Sequence, residues 1–512
     1  SLGLQSMKGV GRLIEVYGLK GDLLTEPKPS EYQDNKIDKH SDDEVPSIAI
    51  IPFENKGKDD DDFYAYGISS DLISDCSGAG LIRVASLEDI EKVENWDKLK
   101  VSELSEILLV RYIAQGTLWK IDNLFQLSIE LYDTKEAKII WSDRWEESWE
   151  NLPKIKDNLS NGLLKALDTE SSVSRRIMTT NSEAYELYIR ARHQFEKRAN
   201  IKDIEDVRYF LNKSIELDNK MLVSKNLLGT TYEATSEYEK AIKIYNSTLK
   251  EAEELGDMLC IAITLGNIAN HYNNDSNNRQ KALECYNRSL SIFEELGIEK
   301  EIARTLGNTG THYYYHQEYH CALKYYLRSL EIIKKIDDSR GMTYTYGGIG
   351  AVYQYTGNYD KALENYSIGY KSIKKTSDNN ALGKYLSNLG ALHFKMGEYS
   401  QAIEELEESI SVLSAIGYTE MNFFTTVYLY LSYKHIGKEY DSENIYKLIE
   451  KDKNIGEVYV SELNLRLYEL LEDTSYLESA YNQVQEKASA MDEELAKKFL
   501  SYPIPSAIVE EW

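Results

Sequence analysis

The chain has 512 residues, 42% hydrophobic and 28% charged, values that predict two or more folded units and argue against a disordered protein. Its 85 acidic and 59 basic residues give a net charge of −26, which disfavours nucleic acid and anionic membrane surfaces as partners and favours a basic ligand. The four cysteines lack CxxC spacing, and no apolar run approaches the ~20 residues that span a bilayer, so we expect a cytoplasmic protein without membrane insertion.

The first 46 residues contain a short fragment and a linker. Residues 7–18 read Met-Lys-Gly-Val-Gly-Arg-Leu-Ile-Glu-Val-Tyr-Gly, and the chain begins with Ser1 rather than Met. This segment resembles the last strand of class III nucleotide cyclase catalytic domains, so we assign residues 1–25 to such a fragment. The resemblance implies that the metal-binding and substrate residues of a cyclase would lie upstream. Residues 26–46 are polar, acidic and proline-bearing, which predicts a flexible linker.

In residues 47–168, strand-like and helix-like patterns alternate along the chain. This order predicts an α/β sandwich with helices on a mixed sheet. Short apolar or alternating runs that favour strands occupy residues 47–53, 81–85, 110–115, 124–132 and 138–145. Helical periodicity covers residues 63–76 and 151–167.

Within this region, Ile48-Ala-Ile-Ile-Pro-Phe-Glu-Asn55, Tyr66-Gly-Ile-Ser-Ser-Asp-Leu72 and the stretch from Tyr112 to Leu118 carry a family resemblance. They resemble the TolB-like N-terminal domain of bacterial multidomain regulators, which commonly precedes helical repeats. No catalytic residues are attributed to that domain type, so the resemblance implies none here.

From about Leu222 to Ile449 one pattern returns with a period near 40 residues. A small residue recurs at Gly229, Ala269, Gly310, Gly350 and Gly390. An alanine recurs at Ala241, Ala282, Ala322, Ala362 and Ala402, and a large residue follows it at Tyr245, Tyr286, Tyr326, Tyr366 and Leu406. Small residues let two helices approach closely and the large ones fill the space between them, so the pattern predicts pairs of helices.

These positions resemble the tetratricopeptide repeat, with a period longer than that family's usual 34 residues. The resemblance implies an all-α solenoid, a right-handed superhelix of helical hairpins. We assign about seven repeats to residues 180–455. Residues 456–512 are assigned to a degenerate repeat and a C-terminal cap, which a solenoid needs to cover its last apolar face.

Three asparagines, Asn267, Asn308 and Asn388, lie two residues before the small position. In the repeat pattern this position faces the inner groove, where an amide can both donate to and accept from a peptide backbone. Predicted aromatic anchors on the same side are Tyr314, Tyr315, Tyr355 and Phe394. The alternative is that the amides are solvated or bond between adjacent repeats.

Three other patterns have plainer explanations than a functional site. His312, His316 and His320 suggest a metal site, but the repeat register places a turn at Gln317-Glu318, so they do not share one helix. The glycines of residues 347–350 fall inside a predicted helix and serve packing rather than phosphate binding. Asp59 to Asp62 favour an N-cap and dipole interaction with the following helix over a calcium site.

No catalytic constellation, cofactor site or metal site is predicted. We expect a non-catalytic interaction module that binds a protein or peptide in the repeat groove. The alternative is the C-terminal regulatory tail of a bacterial adenylate or guanylate cyclase whose catalytic domain lies upstream. Homodimer formation through the terminal repeat stays open.

Overall fold

The computed structural model describes residues 4–5, 14–15, 46–79, 82–91, 93, 95–168, 179–197, 203–273, 278–336, 338–373, 379–415, 422–451 and 460–512. The cyclase-like segment 7–18 and the linker therefore lie almost wholly outside the described residues. Two short strands of the first 25 residues, β1 (Leu4–Gln5) and β2 (Ile14–Glu15), pair antiparallel.

Contacts divide the chain into two compact units. Unit 1 comprises residues 1–264 and 291–300, and unit 2 comprises residues 265–290 and 301–512. Among the helices that the structure describes, none is both long and apolar enough to cross a membrane.

Unit 1 contains a small mixed sheet. Its strands are β3 (Ser47–Ile50), β4 (Glu54–Asn55), β5 (Arg83–Ala85), β6 (Tyr112–Ile121), β7 (Leu124–Asp133) and β8 (Lys138–Ser148). The strand order is β5-β3-β6-β7-β8, with β4 also paired to β6. The first three strands of that order run parallel, whereas β6, β7 and β8 form an antiparallel meander. The predicted strands are confirmed.

Helices α1 (Asp62–Ser77), α2 (Leu87–Glu91), α3 (Val101–Leu108) and α4 (Leu152–Ala166) accompany the sheet. Alternate residues of β7, namely Phe125, Leu127, Ile129 and Leu131, are buried in the core that α1 and α4 share. The period-2 pattern of β7 therefore matches its one buried face.

The sheet layer and the first helical hairpin share one core. That hairpin comprises α5 (Ser182–Lys197) and α6 (Asp203–Leu217). A Cβ at Gly67 of α1 would lie only 2.8 Å from the Ile189 Cβ, so the two helices approach closely there. Beside this contact, Arg192 pairs with Asp71 at 2.6 Å, and the Tyr185 hydroxyl donates to the same carboxylate.

Burial alone would raise the pKa of Asp71, but the charges of Arg192 and Lys156 hold that pKa below its ordinary value. The carboxylate therefore stays ionised in the core, with its charge compensated on both sides. Removing either member of a buried ion pair of this kind strongly destabilises the folded protein, because the other charge is left buried without a partner.

The next twelve helices form six consecutive pairs along the chain. They are α7 (Leu222–Glu233), α8 (Tyr238–Leu255), α9 (Met258–His271), α10 (Arg279–Leu296), α11 (Glu299–Tyr315), α12 (Tyr319–Ile336), α13 (Ser339–Tyr355), α14 (Tyr359–Ile373), α15 (Asn379–Lys395), α16 (Tyr399–Ala415), α17 (Asn422–Ile436) and α18 (Ser442–Lys451). We call the odd-numbered members of α7–α18 first helices and the even-numbered members second helices. The predicted pairs of helices are confirmed, and the right-handed superhelix stays a prediction.

The small residues Gly310, Gly350 and Gly390 meet the large residues predicted to face them. A Cβ at Gly350 would lie 2.6 Å from the Tyr366 ring, and one at Gly310 would lie 2.8 Å from the Tyr326 ring. Gly390 stands in the same relation to Leu406, at 2.5 Å. The recurring alanines of the second helices are fully buried. At these three glycines, the first and second helices therefore pack with no room for an added methyl group.

The turns between the paired helices need a left-handed residue. Gly357 and Gly397 adopt φ of +83° and +82°, each two residues after the end of a first helix, α13 or α15. Ser236 and Gln317 take φ of +60° in the turns before α8 and α12, so the repeat tolerates other residues there at some cost in backbone strain.

The chain ends in α19 (Val460–Leu471), α20 (Thr474–Ser489), α21 (Glu493–Leu500) and α22 (Pro503–Glu511). Phe499, Ile504 and Ile508 join the apolar core of α19 and α20. The terminal residues therefore pack on the helices that precede them.

We predict that Gly350→Ala destabilises unit 2 by about 1–3 kcal/mol, because its methyl group has no space against Tyr366. Urea unfolding followed by circular dichroism measures this change. Gly266→Ala is the matched control, since the nearest atom to its Cβ would be 3.8 Å away. That control should be neutral or stabilise by up to ~1 kcal/mol through helix propensity. Equal effects of the two substitutions would contradict the packing explanation.

Candidate partner-binding site

The three predicted asparagines lie on first helices and are half-buried. Asn308 of α11 donates its amide to Asn270 Oδ1 of α9 at 3.1 Å, and the Tyr286 hydroxyl donates to the same oxygen at 2.6 Å. Asn308 therefore bonds between adjacent repeats, the alternative that the sequence left open. Asn267 and Asn388 occupy the equivalent positions of α9 and α15. On α13 that place belongs to Gly348, where a Cβ would lie 2.5 Å from the Tyr326 ring.

Two of the predicted aromatic anchors belong to a tyrosine cluster at the ends of α11 and α13. The Tyr314 ring lies 5.7 Å from that of Tyr355, and both rings lie within 6.0 Å of Tyr319. Tyr315 adjoins the cluster, with its ring 5.8 Å from that of Tyr314. Tyr502, from the end of the chain, closes the cluster at 5.1 Å from Tyr319.

The fourth anchor, Phe394, is buried between repeats. Its ring lies 5.2 Å from Tyr428 of α17 and 5.6 Å from Tyr399 of α16. The Arg466 guanidinium of α19 lies 5.5 Å from the centre of the same ring. Tyr355 and Phe394 are thus in contact with the chain's own C-terminal helices, which cover this part of the predicted surface.

A buried carboxylate that the sequence analysis missed lies at the centre of this contact. Glu462 of α19 accepts hydrogen bonds from Tyr355, at 2.5 Å, and from Tyr428. It also pairs with Lys395 Nζ at 2.6 Å, and both side chains are almost fully buried. Burial alone would raise the pKa of Glu462, but Lys395 and Arg466 hold it below its ordinary value.

One signal could have marked Glu462 in the sequence. It is an acidic residue next to Leu463 in a helix whose other buried positions are Leu465, Leu467 and Leu470. Buried acids need partners, and Lys395 directly follows the predicted anchor Phe394. Nothing in the repeat period indicates that these two segments meet.

The predicted separation of the three histidines is confirmed. His312 lies in α11, His316 follows its end, and His320 is exposed in α12. His312 Nδ1 donates to Asn273 Oδ1 at 3.0 Å, and the rings of His312 and His316 lie 4.5 Å apart. In the described ranges, no group of three or more His, Cys, Asp or Glu is placed to hold a metal ion.

The structure also shows where the glycines of residues 347–350 and the acidic residues 59–62 lie. The glycines of residues 347–350 lie inside α13 and pack on tyrosines, as predicted. The N-cap residue of α1, Asp61, makes no side-chain cap hydrogen bond, so the predicted cap is wrong in that respect. The preceding acids form a short 3-10 turn, and Asp62 begins the helix where its charge complements the helix dipole.

A family model described as tetratricopeptide repeat matches residues 220–295, 260–335 and 340–415. These segments are tetratricopeptide repeats. Their bounds coincide with the alternating helices α7 to α16, in which the small, alanine and tyrosine positions recur.

The chain is 28% identical over 184 residues to putative adenylate cyclase 3 of Rhizobium meliloti. The similar region covers 34% of this chain, and the chain spans only 31% of that relative's length.

Solved structures with tetratricopeptide-like helices are similar at low identity. Aspartyl phosphate phosphatase F of Bacillus subtilis is 13% identical, with a TM-score of 0.44 over 66% of this chain and 91% of its own. A signal transduction ATPase of the STAND class from Pyrococcus horikoshii, with a tetratricopeptide repeat sensor, is 19% identical. Its TM-score is 0.43 over 69% of this chain and 55% of its own.

We predict that buried His312 and His316 make unit 2 less stable as the pH falls below about 6.5, the ordinary pKa of histidine, whereas the raised pKa of His393 beside Glu405 acts in the opposite direction. Burial lowers the pKa of His312 to about 3 and that of His316 to about 4. Between about pH 6.5 and pH 4 these two histidines bind protons in the unfolded chain but not in the folded chain. Their contribution to the free energy of unfolding is therefore largest above about pH 6.5 and decreases toward pH 4. Urea unfolding at pH 7.5 and pH 5.0 measures the difference.

The substitution His312→Gln should reduce this pH dependence, because it removes one of the two titrating rings. His320→Gln is the matched control on an exposed histidine of the neighbouring helix and should leave the dependence unchanged. An unaltered pH dependence in His312→Gln would show that the buried ring does not contribute.

Proposed function

We propose that this chain is a non-catalytic interaction module whose repeats bind a protein or peptide partner. The observation that carries the proposal is the tetratricopeptide match over residues 220–295, 260–335 and 340–415, on the same helices that the structure pairs. Solenoids of this type present successive first helices side by side, which forms an extended binding surface.

The first helices of unit 2 supply suitable groups for such a partner. Asn267 and Asn388 are half-buried polar side chains, and Tyr315 at the end of α11 adds a partly buried amphipathic ring. Tyrosine and asparagine at a helix surface provide contact area and hydrogen bonds at low entropic cost. Asn308 contributes by fixing α11 against α9, which keeps neighbouring surfaces in register.

We further propose that the sheet of unit 1 is a TolB-like domain that presents the repeats to the partner. Support comes from the motif residues 48–55 and 66–72, which form β3, β4 and part of α1. Because α1 packs directly on α5, the sheet and the first hairpin can act as one body.

A second candidate is the regulatory tail of a nucleotide cyclase. The partial similarity to the putative adenylate cyclase of Rhizobium meliloti favours it, together with the cyclase-like segment at residues 7–18. The coding sequence upstream of the codon for Ser1 tests it. An open reading frame that encodes paired metal-binding aspartates supports this candidate, and a stop codon directly upstream rejects it.

We predict that an affinity-tagged full chain captures a specific protein and that Asn267→Ala/Asn388→Ala weakens the capture at least about tenfold, because two binding side chains are lost. The captured protein is identified by mass spectrometry, purified and titrated by calorimetry against each chain. Asn287→Ala, an exposed asparagine of the second helix α10, is the matched control.

Unfolding curves of all three chains separate lost binding from lost stability. The proposal fails when no protein is enriched over an untagged control, or when the double variant binds the purified partner as tightly as the wild type does.

A further inference from the structure

Three repeats converge on a single carboxylate. Tyr355 at the end of α13, Lys395 at the end of α15 and Tyr428 in α17 all contact the Glu462 side chain. The Lys395 and Glu462 side chains are 3% and 2% exposed, so their charges interact in a water-excluded site. A site built from successive first helices around one anion has the form of a ligand site rather than that of an ordinary packing contact.

Helix α19 does not continue the repeat pattern. Within the regular repeats, the first helices α13, α15 and α17 pack on the second helix that precedes each of them. Helix α19 instead packs on the first helix α17. The Glu462 carboxylate of α19 also reaches Tyr355 of α13, which lies two hairpins before α17. Its leucines Leu463, Leu467 and Leu470 join the apolar cluster that contains Phe394 and Tyr428. It therefore lies on the repeats as an amphipathic helix with one buried acid.

Two further contacts hold the terminal helices in place. Lys434 at the end of α17 donates to the carbonyls of Glu469 and Leu470, where α19 ends. At the other end of the segment, Tyr502 packs on Tyr319, and the Pro503 ring would lie 3.0 Å from a Cβ at Gly357. The segment from α19 to α22 therefore contacts the turn ends of α11, α13 and α15.

We propose that Tyr355, Lys395 and Tyr428 form a carboxylate-binding site for an amphipathic acidic helix, that Glu462 occupies this site internally, and that a partner helix binds by displacing α19. This inference rests on the proposed function and specifies its partner. Lys395 requires an anion, because a buried ammonium without a counter-charge is strongly unfavourable. A basic partner segment would leave it unpaired, so the partner must bring its own carboxylate between apolar residues.

Competition with α19 lowers the apparent affinity of the chain for a partner helix. A ligand that binds only open molecules has an apparent Kd equal to its intrinsic Kd divided by the open fraction. Weakening the internal contact increases that fraction and therefore tightens partner binding. A variant at Glu462 should thus bind an added acidic helix better than the wild type, the opposite of what loss of an ordinary structural residue would do.

The test uses a fluorescein-labelled peptide of residues 460–471, the sequence of α19, and the full chain. Fluorescence anisotropy should show that this peptide binds the Glu462→Gln chain at least about tenfold more tightly than the wild-type chain. The same peptide carrying Glu462→Gln should bind that chain roughly tenfold more weakly than the unaltered peptide, because its charge is lost. Glu478→Gln, at an exposed residue of α20, is the matched control and should behave as the wild type.

A second measurement needs no substitution. Saturating peptide added to the wild-type chain should speed hydrogen exchange of the amides in residues 460–512, while α13 and α14 stay protected. Equal peptide binding by all three chains, or no binding together with unchanged exchange, would overturn the inference.

Failure of this inference can be distinguished from failure of the proposed function. Peptide exchange without capture of any partner protein would support the carboxylate site and count against the interaction module. A partner captured equally well by the wild-type and Glu462→Gln chains, with no peptide exchange, would support the module and reject displacement of α19.

Discussion

Close contact between a small residue and a large ring is the constraint on which the repeats depend. At Gly310 and Gly350 the first helix has no side chain, and the tyrosine of the second helix occupies that space. This contact fixes the distance between paired helices. Asn388 and Lys395 both lie on α15, a first helix that Gly390 holds against Leu406 in the same way.

Much of this arrangement could be predicted, because it repeats and is local. The spacing from Gly350 to Tyr366 recurs in each pair, and the sheet strands have their own short patterns. Glu462 could not be found in this way, since its partners Tyr355 and Lys395 are separated from it by long stretches of chain. The role of Asn308 was equally undetermined, because an amide at that position can bond to a ligand or to Asn270, and only the geometry distinguishes them.

Total charge and the proposed carboxylate site point to ligands of different charge. The net charge of −26 favours a basic ligand at long range, whereas the buried cation at the proposed site is Lys395, with Arg466 nearby. Arg466 is itself paired with Glu469 at 2.6 Å, which leaves Lys395 as the cation that Glu462 neutralises. At contact distance in a water-excluded site, one such pair outweighs many screened surface charges.

The ion pair between Asp71 and Arg192 has a consequence for how this protein can be divided. A cut placed after the sheet, near residue 168, would remove Arg192, the cation that pairs directly with Asp71, and would expose the surface of α1 that Ile189 now covers. Evolutionary recombination of the sheet with other partners would meet the same obstacle. The smallest piece that can be inherited or exchanged intact therefore includes the first helical hairpin, so the boundary of the module lies inside the helical region rather than before it.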